Sequence, residues 1–294
     1  MKSYKYKKTD AFTSENSLGN PAACIYLEKG QTLTHDEMLA VAKQHKGFVS
    51  EMVFCSNVTD TGCRLTYYSS ECEVDFCGHG TVACMYALIK DTPAFMGRKE
   101  ITIETNRKGR LTIYNEIPSR DAVYITAPDP VFIGTALGRA DIAEALGAEP
   151  GDIAADSPID FIDAGLRTLI VPIAELEKEI SIFPDEAGLK KFCAANGIDI
   201  ILTFSRAVSD KNNIAHTRVF APKFGYLEDP ATGSGNSAFA NYMLKNKMWD
   251  GTPTSVEQGG SDRVFNIVKL AERGGKILFG GGAITRIRGE YLIQ

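Results

Sequence analysis

The chain has few histidines and no paired cysteine motif, and these two shortages narrow the chemistry first. Histidine occurs only at positions 35, 45, 79 and 216, and no Cys-x-x-Cys is found among the seven cysteines. Metal centres built from Cys and His need ligands in pairs at short spacing. Cys77-Gly78-His79, with Cys72 nearby, lacks a second pair, so no metal is expected. An odd cysteine count without a disulfide framework points to a reducing, cytoplasmic setting. A basic excess is also lacking. The net charge is −5, and the lysines at 2, 5, 7 and 8 read as the solvated edge of a first strand, so no nucleic-acid partner is expected. No apolar run reaches membrane-spanning length and the N-terminus lacks the apolar stretch of a signal peptide, so neither membrane nor export is expected. Glycine pairs occur, but outside the strand–glycine–helix unit of a dinucleotide site, and no dinucleotide is expected.

What is present is a chain of 294 residues with 44% apolar content, enough for one large or two mid-sized domains with a substantial core. Its organising stretch is Glu228-Asp229-Pro230-Ala231-Thr232-Gly233-Ser234-Gly235-Asn236, an acidic turn and a glycine-rich loop, followed by an apolar helix from Ser237 to Leu244. The first half carries a counterpart, Phe76-Cys77-Gly78-His79-Gly80-Thr81, which leads into the apolar helix Val82 to Ile89. A helix with almost no polar face is one enclosed by other structure. Gly233 and Gly235 are expected to supply positive φ and a close backbone approach to a ligand. The helix start behind each loop offers unpaired N–H groups and a positive dipole end, suited to an anion. Two matched loops imply two similar lobes with one site between them.

Between these landmarks the pattern alternates helices with more numerous strands. Thr34-His35-Asp36-Glu37 fits a capping box opening a helix that ends near His45 and Gly47. Residues 48–55 read as a strand interrupted by Ser50 and Glu51. A carboxylate there is either costly and therefore paired or working, or it faces the surface on an alternating strand; both readings stand. Residues 101–105 and 110–114 form a hairpin, and 122–126 one more strand. Ala127-Pro128-Asp129-Pro130 marks a domain boundary. In the second half, residues 186–196 form an amphipathic helix stopped by Gly197. Strands are expected at 199–205, 214–221, 266–272, 276–280 and 283–288.

Six groups of residues resemble the signature set of the phenazine-biosynthesis isomerase family (PhzF-like proteins). They are Gly19-Asn20-Pro21, Ser50-Glu51-x-x-Phe54, Glu73-x-x-Phe76-Cys77-Gly78-His79-Gly80-Thr81, Arg218-x-Phe220-x-Pro222, Glu228 through Ser234, and Gly281-Gly282-Ala283 with Gly289. The resemblance runs over residues 5–291. It implies an α+β, diaminopimelate-epimerase-like fold with two pseudo-symmetric lobes, each a curved β-sheet or barrel around a central helix, and an active site in the cleft. The lobes would be 1–126, completed by the last strand 281–294, and 127–280. It further implies a cofactor-independent isomerase acting on a small carboxylic acid, and a homodimer.

Three chemistries are compatible with the loops. Two-cysteine racemisation needs a thiolate on each face of the carbon acid, but aligning the loops sets Cys77 opposite Thr232, and a threonine hydroxyl is too weak unaided. A one-base proton shift fits Glu51, which matches the family's catalytic glutamate; a carboxyl among apolar neighbours can take and return a proton near neutral pH. A cysteine-based dehydratase or epimerase would use Cys77 with Thr232, although Cys77 also reads simply as a buried small hydrophobe. The resemblance assigns Asp229 and His79 to the catalytic set with Glu51. It places Asn20, Ser50, Cys77, Gly78, Thr232, Gly233 and Ser234 at the substrate. A non-catalytic binding protein of this fold has no need of an acid/base group where Glu51 stands. Incubation with candidate hydroxy- and amino-acids in heavy water tests that alternative: deuterium uptake by a substrate, read by mass spectrometry, is expected of the enzyme and not of a binding protein.

Overall fold

The computed structural model describes residues 1–260 and 262–293. The chain forms two compact units, Met1–Thr126 with Gly280–Gln294, and Ala127–Phe279. In the first, the elements are β1 (Lys2–Ala11), β2 (Asn20–Tyr26), α1 (His35–Gln44), β3 (Glu51–Ser56), β4 (Gly62–Ser69), β5 (Glu73–Val74), α2 (Gly78–Asp91), α3 (Pro93–Met96), β6 (Glu100–Thr105), β7 (Gly109–Asn115), α4 (Ile117–Arg120) and β8 (Val123–Thr126). The second contains β9 (Val131–Phe132), α5 (Arg139–Leu146), β10 (Asp160–Asp163), β11 (Arg167–Pro172), α6 (Leu176–Ser181), α7 (Glu186–Asn196), β12 (Ile200–Ser205), β13 (Ala215–Phe220), β14 (Glu228–Asp229), α8 (Gly233–Lys245), β15 (Thr254–Gln258) and β16 (Asn266–Arg273). Strand β17 (Lys276–Gly281) follows, and β18 (Ala283–Ile293) returns to the first unit, antiparallel to β1.

The two units repeat one topology. In the first, β1–β2 is antiparallel, β2–β3 parallel, β3–β4 antiparallel and β4–β6 parallel, with the two-residue β5 paired on β4 just before α2. In the second, β10–β11, β11–β12, β12–β13 and β13–β15 follow the same sequence of directions, with β14 paired on β13 just before α8. Parallel neighbours need a crossover, and α1 and α6–α7 supply the first of these in each unit while α2 and α8 supply the second.

The second crossover helix of each unit, α2 and α8, is enclosed. Gly80 through Ile89 of α2 are all buried, as are Gly235 through Met243 of α8. Helix α2 packs against β1, β2, β3, β8 and β18, strands that include both ends of its sheet, so the sheet curves round it. Helix α8 packs likewise against β10, β11, β12 and β16. The other sheet face is covered by α1 in the first unit, where Val41 and Ala42 meet Met52, Phe54 and Tyr68. In the second unit Ile142 of α5 and Leu189 of α7 meet Phe161, Leu169 and Phe220. Side chains on β3 therefore alternate between two buried faces. Met52 and Phe54 point to α1, whereas Glu51, Val53 and Cys55 share the α2 face. Among the described residues no helix is long and apolar enough to cross a membrane.

Two local expectations are corrected. The strand expected over 48–55 begins only at Glu51. Gly47 takes φ +81°, and the N–H groups of Phe48 and Val49 donate back to the His45 carbonyl, which leaves Ser50 exposed ahead of the strand. Gly233 and Gly235 do not supply positive φ, because both lie inside helix α8. Their function in the fold is close packing: a Cβ on Gly233 would stand 2.3 Å from Cε2 of Phe279, and one on Gly235 3.2 Å from Cδ1 of Ile200. Gly233→Ala is accordingly expected to lower the unfolding free energy by about 1–3 kcal/mol, the usual cost of overpacking, as measured by denaturant titration. Adding Phe279→Leu is expected to recover part of that loss.

Candidate active site

Three polar side chains converge at the start of α2. Cys77 is its N-cap, in extended conformation, and Sγ accepts the Gly80 N–H at 3.3 Å. The turn is pinned from within: Thr81 Oγ1 donates to the Cys77 carbonyl at 2.7 Å and is itself 2.7 Å from the Tyr67 hydroxyl on β4. Burial pushes the Tyr67 hydroxyl well above its ordinary range, so it acts there as a neutral hydrogen-bonding group. His79, the second residue of the helix, has Nδ1 3.4 Å from Cys77 Sγ and Nε2 3.4 Å from Glu51 Oε2. The imidazole thus stands between a thiol and a carboxyl.

Glu51 reaches this point because strand alternation turns it to the α2 face, at the first pair of the ladder with β4, opposite Ser69. Its side chain is 24% exposed and that of His79 13%. Oε2 itself is sealed from solvent and makes no hydrogen bond among the described residues; the His79 contact is at ion-pair distance only. Buried carboxylate oxygens are almost always hydrogen-bonded, and an unsatisfied one marks a strained or working group. Of the other residues expected at the substrate, Asn20 is buried at the start of β2, Gly78 is half-buried at the first position of α2, and Ser50 is exposed next to Glu51.

The second unit builds a different start to α8. Thr232 is the N-cap but its hydroxyl does not cap the helix; it donates to Asp229 Oδ2 at 2.5 Å. Gln258, at the end of β15 and fully buried, ties the loop together. Its Oε1 accepts from the Thr232 N–H at 3.0 Å and from Asn236 Nδ2 at 2.7 Å, while its Nε2 donates to the Asp229 carbonyl at 2.8 Å and to Thr232 Oγ1 at 3.2 Å. Arg218 fixes the preceding turn. Nε and Nη2 grip Glu228 at 2.9 and 2.7 Å, and Nη1 donates to the carbonyls of Glu179, Ile180 and Ile182. The side chain of the N-cap, Thr232, makes no cap hydrogen bond to the first turn of α8, so Gly233 and the half-buried Ser234 open a helix whose dipole and first N–H groups suit an anion.

The family of the chain follows from comparison with known proteins. A family model described as phenazine biosynthesis-like protein (PhzC-PhzF) matches residues 9–273. The chain belongs to that family. The uncharacterized isomerase YfhB of Bacillus subtilis is 30% identical over 282 residues, covering 94% of both chains. A crystal structure of a Bacillus anthracis phenazine biosynthesis protein of the PhzF family superposes with TM-score 0.83 at 27% identity, covering all of both chains. A probable proline racemase from Agrobacterium radiobacter shares the fold alone, with TM-score 0.59 at 12% identity over 99% of this chain and 93% of that one. The phenazine biosynthesis-like family is thus one of isomerases on a diaminopimelate-epimerase-like fold, and this member is an enzyme of that class.

Register places the two halves of this family member in correspondence. Tyr68 pairs with Met52 and Glu73, and Phe220 pairs with Ile201 and Glu228. Glu51 therefore corresponds to Ile200, and Asp229 to Val74. The N-caps Cys77 and Thr232 correspond as the loops implied. Each unit holds one carboxylate where its counterpart is apolar. Gln258 went unseen in the sequence because β15 is short and half polar; Val256-Glu257-Gln258 ahead of Gly259-Gly260 was the available signal for a strand ending in a buried amide. Gln258→Leu is expected to leave the Thr232 N–H unsatisfied and to lower stability by about 1–3 kcal/mol, read by chemical denaturation.

Proposed function

We propose that this protein is a cofactor-independent isomerase that moves a proton between two carbons of a small hydroxy- or amino-carboxylic acid, with Glu51 as the single acid and base. The observation that carries this reading is the Glu51 carboxyl, with Oε2 buried, without a hydrogen bond and 3.4 Å from His79 Nε2. Such a group is costly to keep unless a ligand or a proton completes it. Glu51 takes the proton from the first carbon as carboxylate and returns it as carboxylic acid to the second. The proton never leaves the pair, and no redox partner is required. His79 orients the carboxyl and relays charge between it and the thiol of Cys77. In the second unit, the uncapped turn at Gly233 and Ser234 suits a carboxylate, and the Asp229–Thr232 pair suits an amine or hydroxyl. Membership in a family whose relatives are named isomerases supports the reaction class.

A second reading makes Cys77 the base, in a dehydratase or epimerase. It is favoured by the placement of Sγ at a helix N-terminus, accepting an N–H and close to an imidazole, an arrangement that stabilises thiolate. Two variants separate the readings. Glu51→Gln keeps the shape of the side chain and removes its titration, so the protein should fold normally while deuterium exchange into substrate falls about 10²- to 10⁴-fold. Cys77→Ser should cost far less. An inactive Cys77→Ser beside an active Glu51→Gln would transfer the assignment to the cysteine.

A further inference from the structure

The sequence argued against a metal because Cys77 and His79 lacked a further ligand at short spacing. The fold supplies one from β3. Among the described residues, Glu51, Cys77 and His79 form a group of three possible ligands whose donor atoms all lie within 4.8 Å of one another. His79 Nε2 is 3.9 Å from Cys77 Sγ and 3.4 Å from Glu51 Oε2. A tetrahedral zinc ion with bonds of about 2.3 Å to sulfur and about 2.0–2.2 Å to nitrogen and oxygen spaces its donors roughly 3.3–3.8 Å apart. Two of the three donor pairs stand near that spacing, and the Glu51–Cys77 pair lies within 4.8 Å, a gap that side-chain rotation closes without moving the backbone. The donor set is that of an open zinc site, three protein ligands with a fourth position left over.

We propose that Glu51 Oε2, Cys77 Sγ and His79 Nε2 bind one thiolate-preferring divalent cation of the zinc type, and that the bound ion suppresses the proton-transfer role of Glu51. Three features favour it. The Glu51 oxygen is buried and without a hydrogen bond, a deficiency that a metal bond removes. Cys77 caps α2 and accepts the Gly80 N–H, so its sulfur is already fixed at the helix start where coordination requires it. A thiolate and a carboxylate together match the double charge of the ion, while soft sulfur disfavours magnesium and calcium. Of the other cysteines, Cys72 is exposed in a turn and the remaining five are buried in the two units, so none competes at this point.

Cobalt(II) and zinc(II) added to the full-length protein provide the test. Cobalt should bind at one ion per chain and produce a sulfur-to-cobalt charge-transfer band in the near ultraviolet with the visible bands of tetrahedral cobalt, and zinc should displace both. Cys77→Ser should abolish the charge-transfer band, Cys72→Ser should leave it intact, and Glu51→Gln should weaken binding roughly 10–100-fold or more. No charge-transfer band, a band that survives Cys77→Ser, or a zinc affinity indifferent to Glu51→Gln would overturn the site. Suppression of turnover rests on the proton-transfer reading, whereas binding is read without turnover. Saturating zinc that displaces the cobalt bands yet leaves substrate exchange unchanged would overturn the suppression alone.

Discussion

The enclosure of an apolar helix by its own sheet is the constraint on which both units depend. A helix with no polar face cannot lie on a surface, and one crossed over by a curved sheet must begin where the sheet leaves an opening. The start of such a helix carries unpaired N–H groups and the positive end of the dipole. Burying α2 and α8 therefore creates, in each unit, a fixed polar point at the edge of an apolar core. The glycines serve this burial before anything else. Gly80 lies against Val53 and the Cys77 sulfur, and Gly233 against the ring of Phe279, at distances where a Cβ would have to displace its neighbour.

From that common plan the two units diverge in how they satisfy the helix start. The thiol of Cys77 caps α2 directly, and the hydroxyl of Thr232 turns away to Asp229, leaving α8 without a side-chain cap. The loop of the second unit is held instead from outside by Gln258 and Arg218, both buried and each making several hydrogen bonds. In both units the residue four past the N-cap pins the N-cap carbonyl: Thr81 in the first and Asn236 in the second. Duplication of topology has thus preserved the scaffold of the turn while the ionisable groups became specific to one unit or the other, Glu51 against Ile200 and Asp229 against Val74.

The Glu51–His79–Cys77 group concentrates acid, base and nucleophile character within a few ångströms of one helix terminus. Such a group has more than one chemical use. Proton transfer by the carboxyl, proton transfer by the thiolate and coordination of a soft cation compete for the same three atoms, and occupation of one excludes the others. What favours the carboxyl for proton transfer is its environment. The thiol is already satisfied by a backbone donor, and the Glu51 oxygen is not.

Much of this was legible in the chain itself. The paired glycine loops, the apolar helices behind them and the capping box at Thr34 are encoded by neighbours in sequence, where periodicity and turn chemistry act. The motifs around Glu51, His79 and Asp229 also named the group of proteins to which the chain belongs. Other features depended on residues distant in sequence. Whether Glu51 faced solvent or the helix was undecided locally, because an alternating strand is consistent with either; only the burial of both sides of β3 decided it. The glycines at 233 and 235 read as ligand-facing because their packing partners, Phe279 and Ile200, lie far away in the chain. Gln258 is an ordinary amide until the crossover through α8 brings β15 beside β13. Periodicity specifies elements through short-range contacts, but the surroundings of a buried polar atom are set by strand pairing and helix enclosure, which exist only once the chain has folded.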